Sequence, residues 1–156
     1  MTESLPESTS IDPNPQLRQA LPSDVAAIHA LMRPFVMRRL LLSRTQAELI
    51  ELTRHGFVAM TVDPSRCVGF CAVEVYSPKL AEIQCLAVPP EFQSLGVGKR
   101  LLEMCVDRAK DLGVMELMAI STSDRFFENC GFDYSLPDQK RALFKQLRPR
   151  PYEDRA

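Results

Sequence analysis

The feature that most constrains this fold is a direct succession of an apolar strand, a short glycine-containing loop and a long amphipathic helix. The strand is predicted over residues 81–88 and the helix over residues 96–112. Apolar side chains recur along one face of that helix, at Val97, Leu101, Leu102, Cys105, Val106, Ala109 and Leu112. A second apolar run, residues 114–120, follows. Because strand, helix and strand follow one another, the pattern predicts a right-handed crossover between parallel strands and an α/β fold.

The loop before this helix has the composition of an anion-binding site. Helix N-termini carry unpaired N–H groups and partial positive charge, and Gly96 and Gly98 leave the backbone open to a phosphate. A dinucleotide-binding loop would need a third glycine at Leu101, and a P-loop would need Gly at Gln93 and Ser or Thr at Arg100. Both patterns fail, so the motif taken alone leaves two alternatives, another kind of phosphate loop and a plain helix entry.

The rest of the chain adds elements of both kinds. Further strands are predicted at residues 17–21, 57–62 and 67–76, and a last apolar piece lies at 142–147. Further helices are predicted after residue 22, after a Thr45 cap and near residues 124–130. A proline-containing turn separates the second and third of these strands, which therefore form a predicted antiparallel hairpin.

Length and charge exclude several classes of partner. The chain has 156 residues, enough for one globular domain, and 19 Lys plus Arg against 20 Asp plus Glu give a net charge of −1. No uniform positive field exists, so neither nucleic acid nor a membrane is expected as a partner. No apolar stretch is long enough to span a bilayer, and residues 1–15 lack the parts of a secretory signal, so a cytoplasmic location is expected.

The cysteines predict neither a metal site nor a disulfide framework. Five are present, at Cys67, Cys71, Cys85, Cys105 and Cys130. None forms a Cys-x-x-Cys pair, the odd number leaves at least one unpaired, and most lie within apolar runs. We therefore expect reduced thiols in the core and no bound metal.

Two motifs carry a resemblance to a known family. Gln93-x-x-Gly96-x-Gly98 follows the strand, and residues 127–132 read Phe-Glu-Asn-Cys-Gly-Phe. Together with the order of elements, they are similar to the GNAT superfamily of acyl-CoA-dependent N-acetyltransferases. The resemblance implies a GNAT-like α/β fold, with a mixed, mostly antiparallel sheet of six to seven strands, a parallel central pair and about four helices.

The resemblance covers about residues 16–147, which are expected to form the acetyltransferase domain. Residues 1–15 are expected to be a flexible tail and residues 148–156 a C-terminal tail. The family implies acetyl-CoA as the acyl donor, with its pyrophosphate on the loop amides and its pantetheine arm along the strand. The implied cofactor-binding residues are Leu86, Ala87, Val88, Gln93, Ser94, Leu95, Gly96, Val97, Gly98, Lys99 and Phe127.

A narrower resemblance concerns the acceptor. Residues 81–88 look like the Gly-Glu-x-x-Cys/Arg-x-x-Ala-Val strand of the N-acetylglutamate synthases. Residues 41–49 resemble the Leu-Leu-x-Arg-Ser/Thr segment of that group, and residues 136–144 resemble its C-terminal stretch. The resemblance implies an amino-acid N-acetyltransferase acting on a small amino acid, with L-glutamate favoured.

Acetyl transfer needs a base for the ammonium, donors for the thioester oxygen and an acid for the leaving thiolate. The resemblance makes Glu82 the base, with a solvent-facing strand-end residue as the alternative. The N–H groups of Cys85 and Leu86 are expected to polarise the carbonyl, while the Cys85 thiol packs. Phe127 stands where many members carry a tyrosine acid. Ser121 is the expected replacement, with a helix cap as the alternative.

A carboxylated acceptor needs an arginine, which binds carboxylates through two parallel hydrogen bonds. Arg44 matches the synthase position, and Arg148 is the candidate for a second carboxylate. Two other functions stay open. One is a GNAT acetyltransferase that acts on a peptide, a polyamine or another small amine, and the other is a non-catalytic acetyl-CoA sensor, which Phe127 would suit. The oligomeric state is open, a homodimer included.

Overall fold

Strands and helices follow one another along the chain as an α/β fold requires. The computed structural model describes residues 14–62, 64–134 and 143–149. The strands are β1 (Gln16–Gln19), β2 (Gly56–Val62), β3 (Ser65–Ser77), β4 (Leu80–Ala87) and β5 (Glu116–Met118). The α-helices are α1 (Val25–Met37), α2 (Gln46–Thr53), α3 (Pro90–Gln93), α4 (Val97–Asp111) and α5 (Asp124–Asn129), and a 3-10 turn spans Pro22–Asp24.

The five strands form one mixed sheet in the order β1-β2-β3-β4-β5. The first three pairings are antiparallel, and β4 pairs with β5 in parallel. The predicted hairpin is confirmed, since β2 and β3 pair from Gly56 opposite Ala72 to Val62 opposite Ser65. The predicted helical connection between two parallel strands is confirmed as well, because α4 lies between β4 and β5 in the chain and these strands pair in parallel.

Two details of the predicted sheet are wrong for the described part of the chain. The sheet has five strands where six to seven were expected, and the parallel pair lies at its edge instead of its centre. The run 114–120 forms a strand only over Glu116–Met118, because only these residues pair with β4. Residues 143–149 form no strand and are exposed, and the remainder of the expected C-terminal stretch, 135–142, lies outside the described residues.

The helices number five in the described ranges, one more than expected. The additional helix is α3, a single turn that follows Pro89. Pro90 occupies its first position, which the fixed φ of proline favours. A single turn is too short for apolar periodicity to appear in the sequence. None of the described helices is long and apolar enough to cross a membrane.

Helices cover both faces of the sheet and bury its apolar side chains. On one face α1 and α2 contribute Ile28 and Leu49, and on the other face α4 contributes Leu101 and Leu102, all fully buried. Gly69 on β3 allows α4 to lie close to the sheet, since a Cβ at this position would stand 2.7 Å from Leu101 Cδ1. The position of α4 above β3 therefore depends on the absence of a side chain.

Local signals define the helix ends. The Thr45 hydroxyl accepts from Glu48 N–H at 3.1 Å, and the Glu48 carboxylate accepts from Thr45 N–H at 2.8 Å. This reciprocal pair satisfies two N–H groups at the start of α2 and confirms the predicted cap. Gly113 takes φ +74° just after α4, which is the conformation that commonly ends a helix.

All five cysteines are free thiols, as expected. Four of them are buried, and Cys130 is partly exposed. Within the described residues, no three His, Cys, Asp or Glu side chains lie close enough together to hold a metal ion.

Candidate active site

Strand β4 is interrupted by a bulge at its middle. Its register with β3 slips between the pair Gln84–Ala72 and the pair Ala87–Phe70, so β4 carries one extra residue there. Cys85, inside the bulge, takes φ +59°, a left-handed conformation that residues with side chains rarely adopt. An extra residue in a bulge is left without its ladder partner, so backbone donors at this point of β4 are available to another group.

The edge of β4 next to β5 is open beyond its first residues. The parallel pairing joins Leu80, Ala81 and Glu82 to β5, and it stops there. Residues 83–87 of β4 therefore have no strand beside them on that side in the described part of the chain. Backbone N–H and C=O groups on this edge can hydrogen-bond to an extended ligand.

The glycine loop leads directly into the N-terminus of α4. Gly96, at φ +73°, precedes the helix, and Arg100 N–H donates to Gly96 C=O at 3.1 Å. The N–H groups of Val97, Gly98 and Lys99 come before that first bond, in the turn whose donors have no helical acceptor. Nothing lies within 4 Å of a Cβ built at Gly96, and at Gly98 the nearest atom is 3.6 Å away. The backbone at Gly96 is therefore open to a phosphate, while a side chain at Gly98 would contact Phe126 and Val88.

The first residue of the motif, Gln93, points back to β4. Its side-chain amide donates to the Val88 carbonyl at 2.9 Å, so it joins the loop to the end of the strand. The other predicted loop residues Ser94, Leu95 and Lys99 are exposed. The loop and the open strand edge are therefore neighbours along the chain and are held together by a side chain.

A polar cluster surrounds Glu82, the predicted base. Glu82 Oε2 accepts from the Tyr76 hydroxyl and from Gln84 Nε2, the latter at 3.1 Å. Gln84 Nε2 also lies 2.9 Å from Oε2 of Glu74, which is the residue directly opposite Glu82 on β3. By strand alternation these side chains share the sheet face that α1 and α2 cover. The alternative of a Glu82 facing only water is therefore not what the structure has.

Arg44, the predicted carboxylate ligand, reaches the same cluster from the loop before α2. Its guanidinium donates to Gln84 Oε1 at 2.7 Å. The Nε atom of Arg44 is buried and has no hydrogen-bond partner among the residues that the structure describes. An unsatisfied buried donor costs free energy that an incoming acceptor can recover. Glu82 and Arg44, distant in the sequence, are thus connected through the amide of one side chain.

Burial raises the pKa of the Cys85 thiol to about 11, although the nearby Arg44 guanidinium opposes the shift. The thiol is therefore protonated at neutral pH, and a protonated thiol is a poor nucleophile. This agrees with the expected packing role of the side chain.

Ser121 and Phe127 lie elsewhere, around a cavity of about 550 Å³ between β5 and α5. The Ser121 hydroxyl accepts from Ser123 N–H at 2.9 Å, in the turn before α5, so the capping alternative describes its contact. Phe127 is buried and packs edge-on against Phe126 and Phe132. The cavity lining, within the described residues, does not include Glu82, so the structure does not bring these two predicted residues to the base.

Arg148 is also apart from the cluster. It is exposed in the segment 143–149, and its carbonyl accepts from the Gln146 side chain at 2.8 Å. Conversely, sequence reasoning missed Glu74, Tyr76 and Gln84. The signal available for them was the alternation of polar residues on two strands of a predicted hairpin, but their contact depends on register, which the sequence does not fix.

Comparison with known proteins identifies the family. The model of the acetyltransferase (GNAT) family matches residues 25–132, more than half of the chain. The chain therefore belongs to the GNAT family, and it is an acyl-CoA-dependent N-acetyltransferase with acetyl-CoA as the acyl donor.

Similar sequences include two kinds of acetyltransferase. The uncharacterized N-acetyltransferase CT2212 of Chlorobaculum tepidum is 32% identical over 116 residues, which cover 74% of each chain. The amino-acid acetyltransferase of Neisseria meningitidis serogroup B is 34% identical over 125 residues, which cover 79% of this chain and 28% of that enzyme. The chain thus matches less than a third of the length of this amino-acid acetyltransferase.

Two solved structures share the fold. Rv2747 from Mycobacterium tuberculosis, in complex with CoA and NLQ, has a TM-score of 0.68 and 29% identity, covering 75% of this chain and 70% of that one. N-acetylglutamate synthase from Neisseria gonorrhoeae, complexed with coenzyme A and N-acetyl-glutamate, has a TM-score of 0.66 and 31% identity, covering 73% of this chain and 27% of that one. Both similarities extend over most of the described domain.

Proposed function

We propose that this protein transfers the acetyl group of acetyl-CoA to the α-amine of a small amino acid, with L-glutamate as the favoured acceptor. The observation that carries the proposal is a pair of hydrogen bonds that connects Arg44 to Glu82 through Gln84. The Arg44 guanidinium donates to Gln84 Oε1 at 2.7 Å, and Gln84 Nε2 donates to Glu82 Oε2 at 3.1 Å. The Gln84 amide presents an oxygen to the arginine and an N–H to the carboxylate. An amino acid could make the same two contacts, with its carboxylate on the Arg44 guanidinium and its ammonium on the Glu82 carboxylate. The distance between these two groups of an amino acid is similar to that between the oxygen and the nitrogen of an amide.

The glycine loop and the open edge of β4 offer backbone groups that suit acetyl-CoA, the acyl donor. The N–H groups that begin α4, next to Gly96 and Gly98, suit a pyrophosphate. The unpaired edge of residues 83–87 suits the amides of a pantetheine arm. The bulge at Cys85 lies between the loop and Glu82 on the same strand, where the thioester would meet the amine. Acetyl-CoA can therefore lie along β4 with its reactive end toward the polar cluster.

In the proposed reaction Glu82 accepts a proton from the acceptor ammonium, and the resulting amine attacks the thioester carbonyl. The N–H groups of Cys85 and Leu86 stabilise the negative charge that develops on the carbonyl oxygen. The C–S bond then breaks, the nitrogen releases its second proton to water, and the thiolate takes a proton from water. Arg44 holds the acceptor carboxylate, and Arg148 is not required.

The test is the release of CoA from acetyl-CoA with a panel of acceptors: L-glutamate, L-glutamine, L-leucine, L-lysine and spermidine. Glu82→Gln is expected to lower kcat about 10²- to 10⁴-fold, the usual contribution of a general base, while acetyl-CoA binding is retained. Arg44→Ala is expected to raise KM for the amino acid at least about tenfold, because a charge-assisted contact is lost. Arg38→Ala, an exposed arginine of the same segment, is the matched control.

Unchanged turnover in Glu82→Gln would remove that residue from the role of base. An unchanged KM in Arg44→Ala would remove the amino-acid assignment. CoA release with spermidine alone would move the acceptor to another class of amine.

One observation favours a second candidate within the same reaction, an amino acid without an acidic side chain. Glu74 and Glu82 lie opposite each other, and with Arg44 they give the cluster two negative charges against one positive charge. A second carboxylate on the acceptor would meet this excess of negative charge. A higher kcat/KM for L-glutamine or L-leucine than for L-glutamate would select this candidate.

A further inference from the structure

We propose that Tyr76 is a positioning residue, which together with Gln84 holds one oxygen of the Glu82 carboxylate so that the other oxygen is presented to the acceptor amine. The inference rests on the proposed function, because it assumes that Glu82 is the base. It concerns residues that the sequence motifs did not indicate.

The contacts on Glu82 are all on one side of its carboxylate. The Tyr76 hydroxyl and Gln84 Nε2 both donate to Oε2. Within the described residues, no hydrogen bond reaches Oε1. A carboxylate held by two donors at one oxygen cannot rotate without breaking both bonds, so Oε1 keeps a fixed direction. A base must meet its proton at hydrogen-bond distance, and this arrangement supplies a free oxygen for that contact.

The register of β3 and β4 explains why such a fixation is needed. Glu74 and Glu82 are directly paired across the two strands, and like charges in that position repel each other. Left alone, the Glu82 side chain would turn away from Glu74 toward solvent. Gln84 Nε2 lies 2.9 Å from Glu74 Oε2, and the Tyr76 hydroxyl lies 3.4 Å from the same atom. Gln84 Nε2, with two hydrogens, therefore bridges the two carboxylates, and the Tyr76 hydroxyl gives its single hydrogen to Glu82.

The Tyr76 hydroxyl is protonated at neutral pH. Partial burial and the hydrogen bond to Glu82 raise the pKa of the Tyr76 hydroxyl well above its usual range. The hydroxyl is therefore a constant donor to Glu82, and it does not itself gain or lose a proton during turnover.

The first test is Tyr76→Phe, which removes the hydroxyl and keeps the ring. Tyr76 is 51% exposed, so the melting temperature is expected to change little. With the most active acceptor of the panel above, kcat is expected to fall about 10- to 100-fold, as for a catalytic group that loses its alignment. KM for acetyl-CoA is expected to stay within about twofold, because the loop and the strand edge are untouched.

The control is Arg54→Gln. The exposed Arg54 guanidinium lies 3.6 Å from the Glu51 carboxylate, so the control removes a donor to a carboxylate at α2, away from Glu82. Its kcat is expected to remain that of the unmodified protein. If Tyr76→Phe fails to fold, Gln84→Met replaces it, since it removes the other donor to Oε2 and must also lower kcat.

A double-mutant cycle separates this inference from the proposed function. In a Glu82→Gln background, Tyr76→Phe is expected to change the residual kcat less than about twofold, because it acts through Glu82. If Glu82→Gln abolishes turnover and Tyr76→Phe alone leaves kcat unchanged, the positioning role is overturned while the base remains. An equal loss in both backgrounds overturns it as well. If Glu82→Gln itself retains full turnover, the proposed function fails first.

Discussion

Replacing Gly98 with alanine adds one methyl group at the second residue of α4. We expect this change to stabilise the folded protein and to weaken the binding of acetyl-CoA. The added Cβ would lie 3.6 Å from Phe126 Cζ and 3.7 Å from Val88 Cγ2, which are ordinary contacts that require no rearrangement. Alanine within a helix is more favourable than glycine by about 0.5–1 kcal/mol. The ligand-free variant is therefore expected to melt about 1–4 °C higher than the unmodified protein.

Binding is expected to change in the other direction. The methyl group occupies the space between α4, the end of β4 and α5, beside the N–H groups proposed to hold the pyrophosphate. If the Kd for acetyl-CoA rises tenfold, a concentration of about 100 times the original Kd gives about 1.4 kcal/mol of stabilisation instead of about 2.7 kcal/mol. The rise in melting temperature on adding acetyl-CoA would be roughly halved.

Differential scanning fluorimetry with and without acetyl-CoA measures both effects, and titration calorimetry gives the Kd directly. The control is Gly96→Ala, where a Cβ meets nothing within 4 Å but φ is +73°. The left-handed conformation costs a residue with a side chain about 1–2 kcal/mol, so this variant is expected to melt lower. A Gly98→Ala protein that keeps the full acetyl-CoA shift would refute the placement of the pyrophosphate on this loop.

Two further predictions concern stability and reactivity. The Arg18 guanidinium donates to Asp24 at 2.7 and 2.9 Å and lowers the pKa of that carboxyl. The ion pair therefore stabilises the folded protein above about pH 4, and this stabilisation is lost as the pH falls through the lowered pKa of Asp24. Asp24→Asn should reduce the free energy of unfolding by about 1 kcal/mol at pH 7, and this difference, measured in urea, should shrink as the pH falls through the lowered pKa. A pH-independent difference would contradict the ion pair. Burial raises the pKa of the Cys67 thiol to about 11, like that of Cys85. Iodoacetamide at pH 8 should thus modify only Cys130 in the native protein, and rapid labelling at a second site, detected by mass spectrometry, would contradict the described burial.

The parts of the fold that the sequence predicts are those set by local pattern. Neighbouring residues determine three of these features: the apolar periodicity of α4, the Thr45 cap and the β2–β3 hairpin. The structure has each of them. The second predicted strand of the crossover, residues 114–120, is shorter than its apolar run, because strand length depends on how far β4 stays beside it. Such pairing involves residues far apart in the chain, and no local pattern encodes it.

The same distinction applies to the candidate site. Glu82 and Arg44 were indicated by motifs, and the structure connects them. The partners of Glu82 were not, because Tyr76 reaches it only through the pairing of Glu74 with Glu82. The left-handed backbone of Cys85 was equally hidden, since a bulge arises from a slipped register and cysteine has no preference for it. Ser121, chosen by position, lies in a turn of its own.

The open edge of β4 determines what kind of mutation this enzyme can tolerate. Recognition along residues 83–87 would use peptide groups, which every amino acid except proline supplies in full. Side chains at these positions are then free to serve the core on one face and the acceptor on the other. Acceptor preference can change through Gln84 without disturbing the donor, and a proline is the substitution that would cost both. If acetyl-CoA and the acceptor bind as proposed, the backbone of β4 serves the donor in every variant, and its side chains alone set the choice of acceptor.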